Sequence, residues 1–198
     1  MLLQEYVPGP PDAHYFVDGY VALDGRPLAF FARRRLRMYP PDFGNSTYHV
    51  SVPLEEVGDA VSHLRTLLAG SGYVGIFSAE FKRDARDGVL KLLEVNVRPW
   101  WYVEFAALSG VDVCSLAYRD ALGLPLEPPA AYRVGHTCVL PGADVRAFRA
   151  VRSESGLGLL PWLRSWSGAS HTVWRLDDPL PGPFQLASVA LRPLRRRL

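Results

Sequence analysis

Nowhere in these 198 residues is there a glycine-rich phosphate loop; Ser155-Gly156-Leu157-Gly158 is too short and too apolar to act as one. Cysteine is nearly absent. Cys114 and Cys138 lack metal-type spacing and fit two small buried apolar residues of a reduced, cytoplasmic protein. His14, His49, His63, His136 and His171 are scattered without ligand spacing, which argues against a zinc site. No apolar run approaches a membrane span, and Met1-Leu2-Leu3-Gln4-Glu5 has no basic segment leading into an apolar one, so neither a membrane partner nor a secretory signal is expected. With a formal charge of only +2, nothing in the bulk electrostatics suggests a nucleic-acid partner, and the basic end Arg192 to Leu198 reads as a solvated tail. What is present is an ordinary composition, 48% hydrophobic and 21% charged, enough for one domain with a sizeable core and an appendage.

The most informative stretch runs from Ser78 to Arg98. Ser78–Lys82 and Val89–Val97 read as the arms of a β-hairpin around Arg86-Asp87-Gly88, with Gly88 placed for the left-handed position of a three-residue loop. In that register Glu80 falls opposite Glu94 and Ser78 opposite Asn96. Alternation then puts Glu94, Asn96 and Arg98 on one face and Val95 and Val97 on the other. Two facing carboxylates repel, and a divalent cation between them would remove the conflict. Two acids, an amide oxygen and a guanidinium make a metal–phosphate site. A two-residue Asp-Gly turn would instead set Glu80 and Glu94 on opposite faces. A solvated hairpin face neutralised by Lys82 and Arg98 is the plainer alternative.

Elsewhere the pattern is α+β, an antiparallel sheet with flanking helices and a small C-terminal appendage. Residues 1–6 suggest a strand, ended by Pro8-Gly9-Pro10-Pro11. Tyr15–Leu23 and Pro27–Leu36 read as strands around Asp24-Gly25, with Arg33, Arg34, Arg35 and Arg37 at the end of the second. Pro40–Thr47 reads as a loop. A helix is expected over Leu54–Leu68, with apolar positions Leu54, Val57, Val61, Leu64, Leu67 and Leu68 and a stop at Gly70. Tyr102–Leu108 and Val113–Leu122 suggest two more helices, divided by Gly110 and closed by Gly123. The main domain is drawn at 1–126 and the appendage at 127–198, with a strand-like run at Val134–Leu140 and a helix at Asp144–Arg152. Trp100, Trp101, Trp162, Trp166 and Trp174 are packing residues, Trp100 and Trp101 alternatively walls of a pocket. Ser46 and Thr47 lack a base partner and are not nucleophile candidates.

Gln4-Glu5-Tyr6-Val7-Pro8-Gly9, the acid Glu80, Glu94-Val95-Asn96-Val97-Arg98 and Ala106-Ala107-Leu108-Ser109-Gly110-Val111-Asp112 stand in an order and spacing that resembles the C-terminal half of an ATP-grasp domain, of the carbamoyl-phosphate-synthase-like and carboxylate–amine ligase group. The resemblance spans Leu2 to about Leu122. Val97 departs from it, since the family usually has proline there. The resemblance implies that Glu80, Glu94 and Asn96 hold Mg²⁺ (or Mn²⁺) on the ATP phosphates and that Arg98 contacts phosphate or the intermediate. It further implies that Glu5, Tyr6, Val7 and His14 lie near the nucleoside, and that Arg35 and Arg37 reach phosphate or a substrate carboxylate. Glu5 has an ordinary strand reading beside the hinge one, and Arg33–Arg37 a solvated strand end. The implied reaction is activation of a small carboxylate as an acylphosphate, captured by an amine; the chemistry needs charge neutralisation above all. The family's N-terminal lobe, with two basic residues and a glycine-rich lid, has no counterpart in this sequence. The resemblance therefore implies a half-site that depends on a lobe from elsewhere, such as a separate chain, and is inactive alone. The alternative is a non-catalytic nucleotide-binding or interaction module.

Overall fold

A computed structural model of the chain describes residues 3–41, 43–171, 178–184 and 187. Met1, Leu2, Trp174 and the basic end Arg192–Leu198, all singled out from the sequence, lie outside the described residues. Two compact units form: residues 1–35 with 50–136, and residues 36–49 with 137–198. The strands are β1 (His14–Val21), β2 (Pro27–Tyr39), β3 (Asn45–Ser51), β4 (Gly75–Arg83), β5 (Leu90–Asn96), β6 (Thr137–Val139) and β7 (Ser170–His171). The helices are α1 (Gly58–Gly70), α2 (Val103–Leu108), α3 (Val113–Ala121), α4 (Pro141–Ser155) and α5 (Leu159–Ser165). The α+β expectation holds.

In the first unit hydrogen-bonded neighbours run β5-β4-β1-β2, and each of these pairings is antiparallel. β1 is aromatic and β-branched and nearly all buried, as a central strand must be. Gly19 on β1 has no room for a side chain: a Cβ there would come within 2.2 Å of the Ala29 carbonyl oxygen and 2.6 Å of the Phe77 ring. One sheet face carries Tyr15, Val17, Phe30, Ala32, Phe77, Ala79 and Phe81, and α1 seals it with Ala60, Val61, Leu64 and Leu68. A Leu or Phe buried there contributes about 1.5–3 kcal/mol each by removal from water. The expected helix is present, with two adjustments. Leu54–Val57 form a 3-10 turn before α1, and Leu67, at the margin of the apolar stripe, is 47% exposed. α2 and α3 match their expected spans to within a residue; Asp112 caps α3, its carboxylate accepting the Ser115 N–H at 2.9 Å.

Three other readings need correction. Residues 3–10 are not a strand. Pro8, Pro10 and Pro11 lack N–H groups, and the segment is held instead by the Pro8 carbonyl, which accepts Ala85 N–H at 3.0 Å, and by Gln4 Nε2 donating to the Leu93 carbonyl at 3.1 Å. β3 begins at Asn45, inside the expected loop, because Thr47-Tyr48-His49-Val50 is a run of good strand formers. Cys114 is exposed on α3, while Cys138 is buried as expected.

In the second unit neighbours run β2-β3-β6-β7, with β6 and β7 parallel. β6 and α4 fall within or around the run and helix expected there; α5 carried no recognised signal. The unit is organised on Asp144, a fully buried carboxylate at the start of α4. It accepts from Arg37 Nε (2.8 Å) and Nη2 (2.7 Å), Thr47 Oγ1 (2.7 Å), Trp162 Nε1 (2.9 Å) and Trp166 Nε1 (2.8 Å). Trp162 stacks on Phe148 with ring centroids 4.5 Å apart. No described helix is long and apolar enough to cross a membrane.

Candidate functional site

The second face of the β5-β4-β1-β2 sheet is polar because period-2 alternation places one set of residues there. Opposite residues of antiparallel neighbours share a face. The register aligns Arg33, Phe16, Glu80 and Glu94 in one row. Phe31, Asp18, Ser78 and Asn96 form the next, and His14 lies opposite Lys82. The hairpin therefore faces its acids as the sequence suggested, but by another route. Asp84 N–H donates to the Val89 carbonyl at 2.9 Å, so the loop is Ala85–Gly88, four residues long, with Gly88 at φ +73°. That closure alone would set Glu80 against Leu93. A β-bulge between Glu80 and Phe81, with Leu93 the extra residue, shifts the pairing by one and restores Glu80 to Glu94. It also keeps Leu90 and Leu92 on the core side with Val95.

Glu80 is the centre of the site. Its Oε1 accepts from His14 Nδ1 at 2.8 Å and from Arg35 Nη2 at 3.0 Å, and Oε2 has no hydrogen-bond partner among the described residues. The side chains of His14, Arg35 and Glu80 are 12%, 5% and 18% exposed, so this pairing is sheltered from solvent. Burial opposes ionisation of Glu80, yet the His14 hydrogen bond and the Arg35 charge outweigh it and hold the carboxyl below its usual range. Burial likewise pulls His14 below 6.5 against its hydrogen bond to Glu80, so at neutral pH a neutral imidazole donates Nδ1–H to a carboxylate. Of the facing acids, Glu80 thus finds its neutralising charge in Arg35, with His14 adding a neutral hydrogen bond, where Lys82 and Arg98 were the sequence candidates. Glu94 Oε1 accepts Asn96 Nδ2 at 2.7 Å, and Asn96 Oδ1 accepts Arg98 Nη2 at 3.3 Å. Arg98 and Glu94 are exposed.

Beside this row lies a buried ion pair not assigned from the sequence. Arg33 Nε and Nη2 donate to the two oxygens of Asp18 at 2.6 and 3.3 Å, and the guanidinium lies 3.9 Å from the centre of the Phe16 ring. Trp100 and Tyr102 also lie against it, at 5.9 and 5.8 Å. Burial pushes the Asp18 carboxyl up against the pull of Arg33. The signal was available: Asp18 and Phe16 alternate with core residues on β1, as Arg33 and Arg35 do on β2. Trp100 is buried, and its Nε1 has no hydrogen-bond partner among the described residues; Trp101 is 83% exposed.

The remaining candidates separate. Glu5 Oε1 accepts Arg86 Nη1 at 2.7 Å near the hairpin tip, where Arg86 also holds Asp84 down to about 2. Tyr6 lies over Lys82, ring centroid to Nζ 4.9 Å, and Val7 is half-buried in the same segment. Arg37 belongs to the second unit, where Asp144 takes up its guanidinium. The structure thus gathers His14, Arg35, Glu80, Glu94, Asn96 and Arg98 along one sheet face, with Tyr6 over Lys82.

The depressed His14 value has a measurable consequence. A folded-state pKa below the unfolded one gives stability that is present above pH 6.5 and lost as pH falls through the folded value. Glu80 acts in the same direction at lower pH, and His136 and His171, also depressed by burial, share the histidine window. Urea midpoints should fall between about pH 7.5 and about pH 5.5, and His14→Gln should flatten that slope without abolishing it. An unchanged slope in His14→Gln would contradict the buried neutral imidazole.

No family model matches this sequence, and no curated protein does. Solved structures do. Residues covering 67% of the chain superpose on 30% of the biotin carboxylase domain of a thermophilic 2-oxoglutarate carboxylase bound to bicarbonate, with a TM-score of 0.52 and 17% identity. A T882A variant of Rhizobium etli pyruvate carboxylase with acetyl coenzyme A matches 63% of this chain over 13% of its own, at TM-score 0.51 and 14% identity. The chain thus spans less than a third of either protein. At such identities the likeness concerns the fold, which is ATP-grasp-like.

Proposed function

We propose that this chain carries the metal-and-phosphate side of an ATP-grasp-type ligase site that joins a small carboxylate to an amine at the expense of ATP. The observation carrying the reading is the bulge-corrected register that puts Glu80 opposite Glu94 and Ser78 opposite Asn96 on the polar sheet face. Directly opposed residues bring their Cβ atoms to about 5 Å. Two carboxylates and an amide oxygen are hard donors, the set that Mg²⁺ or Mn²⁺ accepts while keeping waters and phosphate oxygens. Among the described residues no three His, Cys, Asp or Glu side chains converge, so the fit is to a metal shared with phosphates and not to an all-protein cage. The ion would neutralise charge on the nucleotide phosphates.

The chain's own groups supply the rest. Glu80, Glu94 and Asn96 would hold the ion, with Arg35 and His14 orienting the Glu80 carboxylate through Oε1. Arg98, exposed beside Asn96, would meet phosphate or the activated carboxylate; Tyr6 and Val7 would border the nucleoside. The reading includes a second lobe contributing basic groups and a phosphate cover, from further sequence or a partner chain. Residues 127–198 are proposed to support this domain without contributing to the chemistry.

Calorimetric titration with Mg²⁺-ATP is the test. We expect weak binding by the 198-residue chain, lost in Glu94→Ala, because removing one of two carboxylates halves the fixed negative charge on the ion. Equal heats from wild type and Glu94→Ala would sink the metal assignment.

A further inference from the structure

Of the cations on the polar face, Asp18 pairs Arg33 and Glu80 pairs Arg35. Lys82 has neither an ion pair nor a hydrogen bond among the described residues, although it is only 7% exposed. The stem is covered, while the ammonium itself is not fully buried and keeps an opening to solvent with no protein acceptor on it. Its surroundings do not supply the missing charge. His14 lies opposite on β1 and Lys91 opposite on β5, and Lys91 is committed to Asp87 at 2.8 Å. Tyr6 covers the ammonium with its ring at 4.9 Å, and Gly9 of the same segment lies so near that a Cβ there would come within 3.5 Å of the Lys82 side chain. Lysine is also rare here: Lys82 and Lys91 are the only two among 22 basic residues, so arginine is the rule and a compact point charge the exception.

We infer that Lys82 is a ligand-binding residue, whose ammonium beneath Tyr6 and beside His14 takes an anionic oxygen, phosphate or carboxylate, from a ligand entering under the segment 6–9. The inference rests on the reading above only in taking the polar face as the ligand side; it needs no metal. A ligand oxygen would complete the three-donor ammonium, a charge-assisted bond of the stronger kind.

With only two lysines, the test is direct. In chain labelled with ¹³C and ¹⁵N, without Mg²⁺ and at fixed ionic strength, sodium phosphate and sodium acetate are titrated separately while the lysine side-chain signals are followed. One or both anions should move Lys82 to saturation and leave Lys91 unmoved; which one does so identifies the source of the oxygen. Lys82→Met should weaken that binding by about tenfold or more, read at the amides of Tyr6 and His14, and Lys82→Arg should keep it. The unliganded Lys82→Met chain should melt close to wild type, since the ammonium carries no ion pair and keeps an opening to solvent while Met preserves the buried stem. The inference is overturned if neither anion moves Lys82, if Lys82→Met binds as wild type, or if Lys82→Met melts well below it, the mark of a purely structural strut under Tyr6. Glu94→Ala should leave anion binding at Lys82 intact, so failure of the metal reading and failure of this one are distinguishable.

Discussion

Asp144→Ala should dissolve the tertiary structure of the second unit. Five donor atoms end on this one carboxylate, whose side chain is fully buried while that of Arg37 is 15% exposed. Removing one partner of a buried pair costs about 3–5 kcal/mol, because the other charge stays behind unpaired. The hydroxyl of Thr47 and the indole N–H groups of Trp162 and Trp166 would be orphaned as well, at roughly 1–3 kcal/mol each. That sum rivals the roughly 5–15 kcal/mol that holds a whole domain together. Near-ultraviolet circular dichroism and tryptophan fluorescence would report the loss directly through Trp162 and Trp166. Asp144→Asn keeps the volume and one acceptor oxygen, and should fall between the two. A wild-type melt for Asp144→Ala would show that Asp144 is not the organising group.

The second large effect is expected from Arg33→Met. The variant leaves Asp18 fully buried with its bidentate partner gone, a loss of about 3–5 kcal/mol at neutral pH. Burial already pushes Asp18 above its ordinary 3.8, and without Arg33 it rises further. The sign follows from the direction. A raised folded-state pKa gives stability that is present at low pH and lost as pH rises through the folded value. The deficit of Arg33→Met relative to wild type should therefore shrink between about pH 7 and about pH 4.5, a trend opposite to that of His14. The double variant Asp18→Asn/Arg33→Met should recover much of the stability, since replacing a buried pair as a whole is far milder than halving it. Urea unfolding at both pH values decides the matter; equal deficits would refute the ionised, buried pair.

Much of this was legible in the sequence, for uneven reasons. Helix α1, the strands around Asp24-Gly25 and the facing of Glu80 with Glu94 follow from local periodicity and turn chemistry, which act over a few residues. The hairpin shows the limit of that reasoning. A three-residue loop without a bulge and a four-residue loop with one place the same acids opposite each other, and only the double leucine at Leu92-Leu93 betrays the second solution. The ATP-grasp-like fold was visible through the order of motifs. Three things were not: the pairing of Arg35 with Glu80, the Asp18–Arg33 pair, and the withdrawal of Arg37 to Asp144. Each joins residues 15 to 107 positions apart and depends on which strands become neighbours. The arginine cluster looked like a single basic patch, yet alternation along β2 and the division of the chain send its members to four different carboxylates, Asp18, Asp12, Glu80 and Asp144.

Leu93 works as a frame correction in the strand that bears Glu94 and Asn96. Upstream of it the even-numbered residues Leu90 and Leu92 point to the core; downstream the odd-numbered Val95 does. Were Leu93 to pair regularly with Glu80, the composition of β5 would be unchanged, yet Glu94 and Asn96 would turn inward and Val95 outward, exchanging the wet and dry sides of the strand; losing Leu93 outright would leave Glu94 opposite Glu80 in an unbroken ladder. A residue lost within Ala85–Gly88 would alter only the tip. Which side of β5 is wet is therefore set by where this one irregular residue is absorbed, not by the length of the loop.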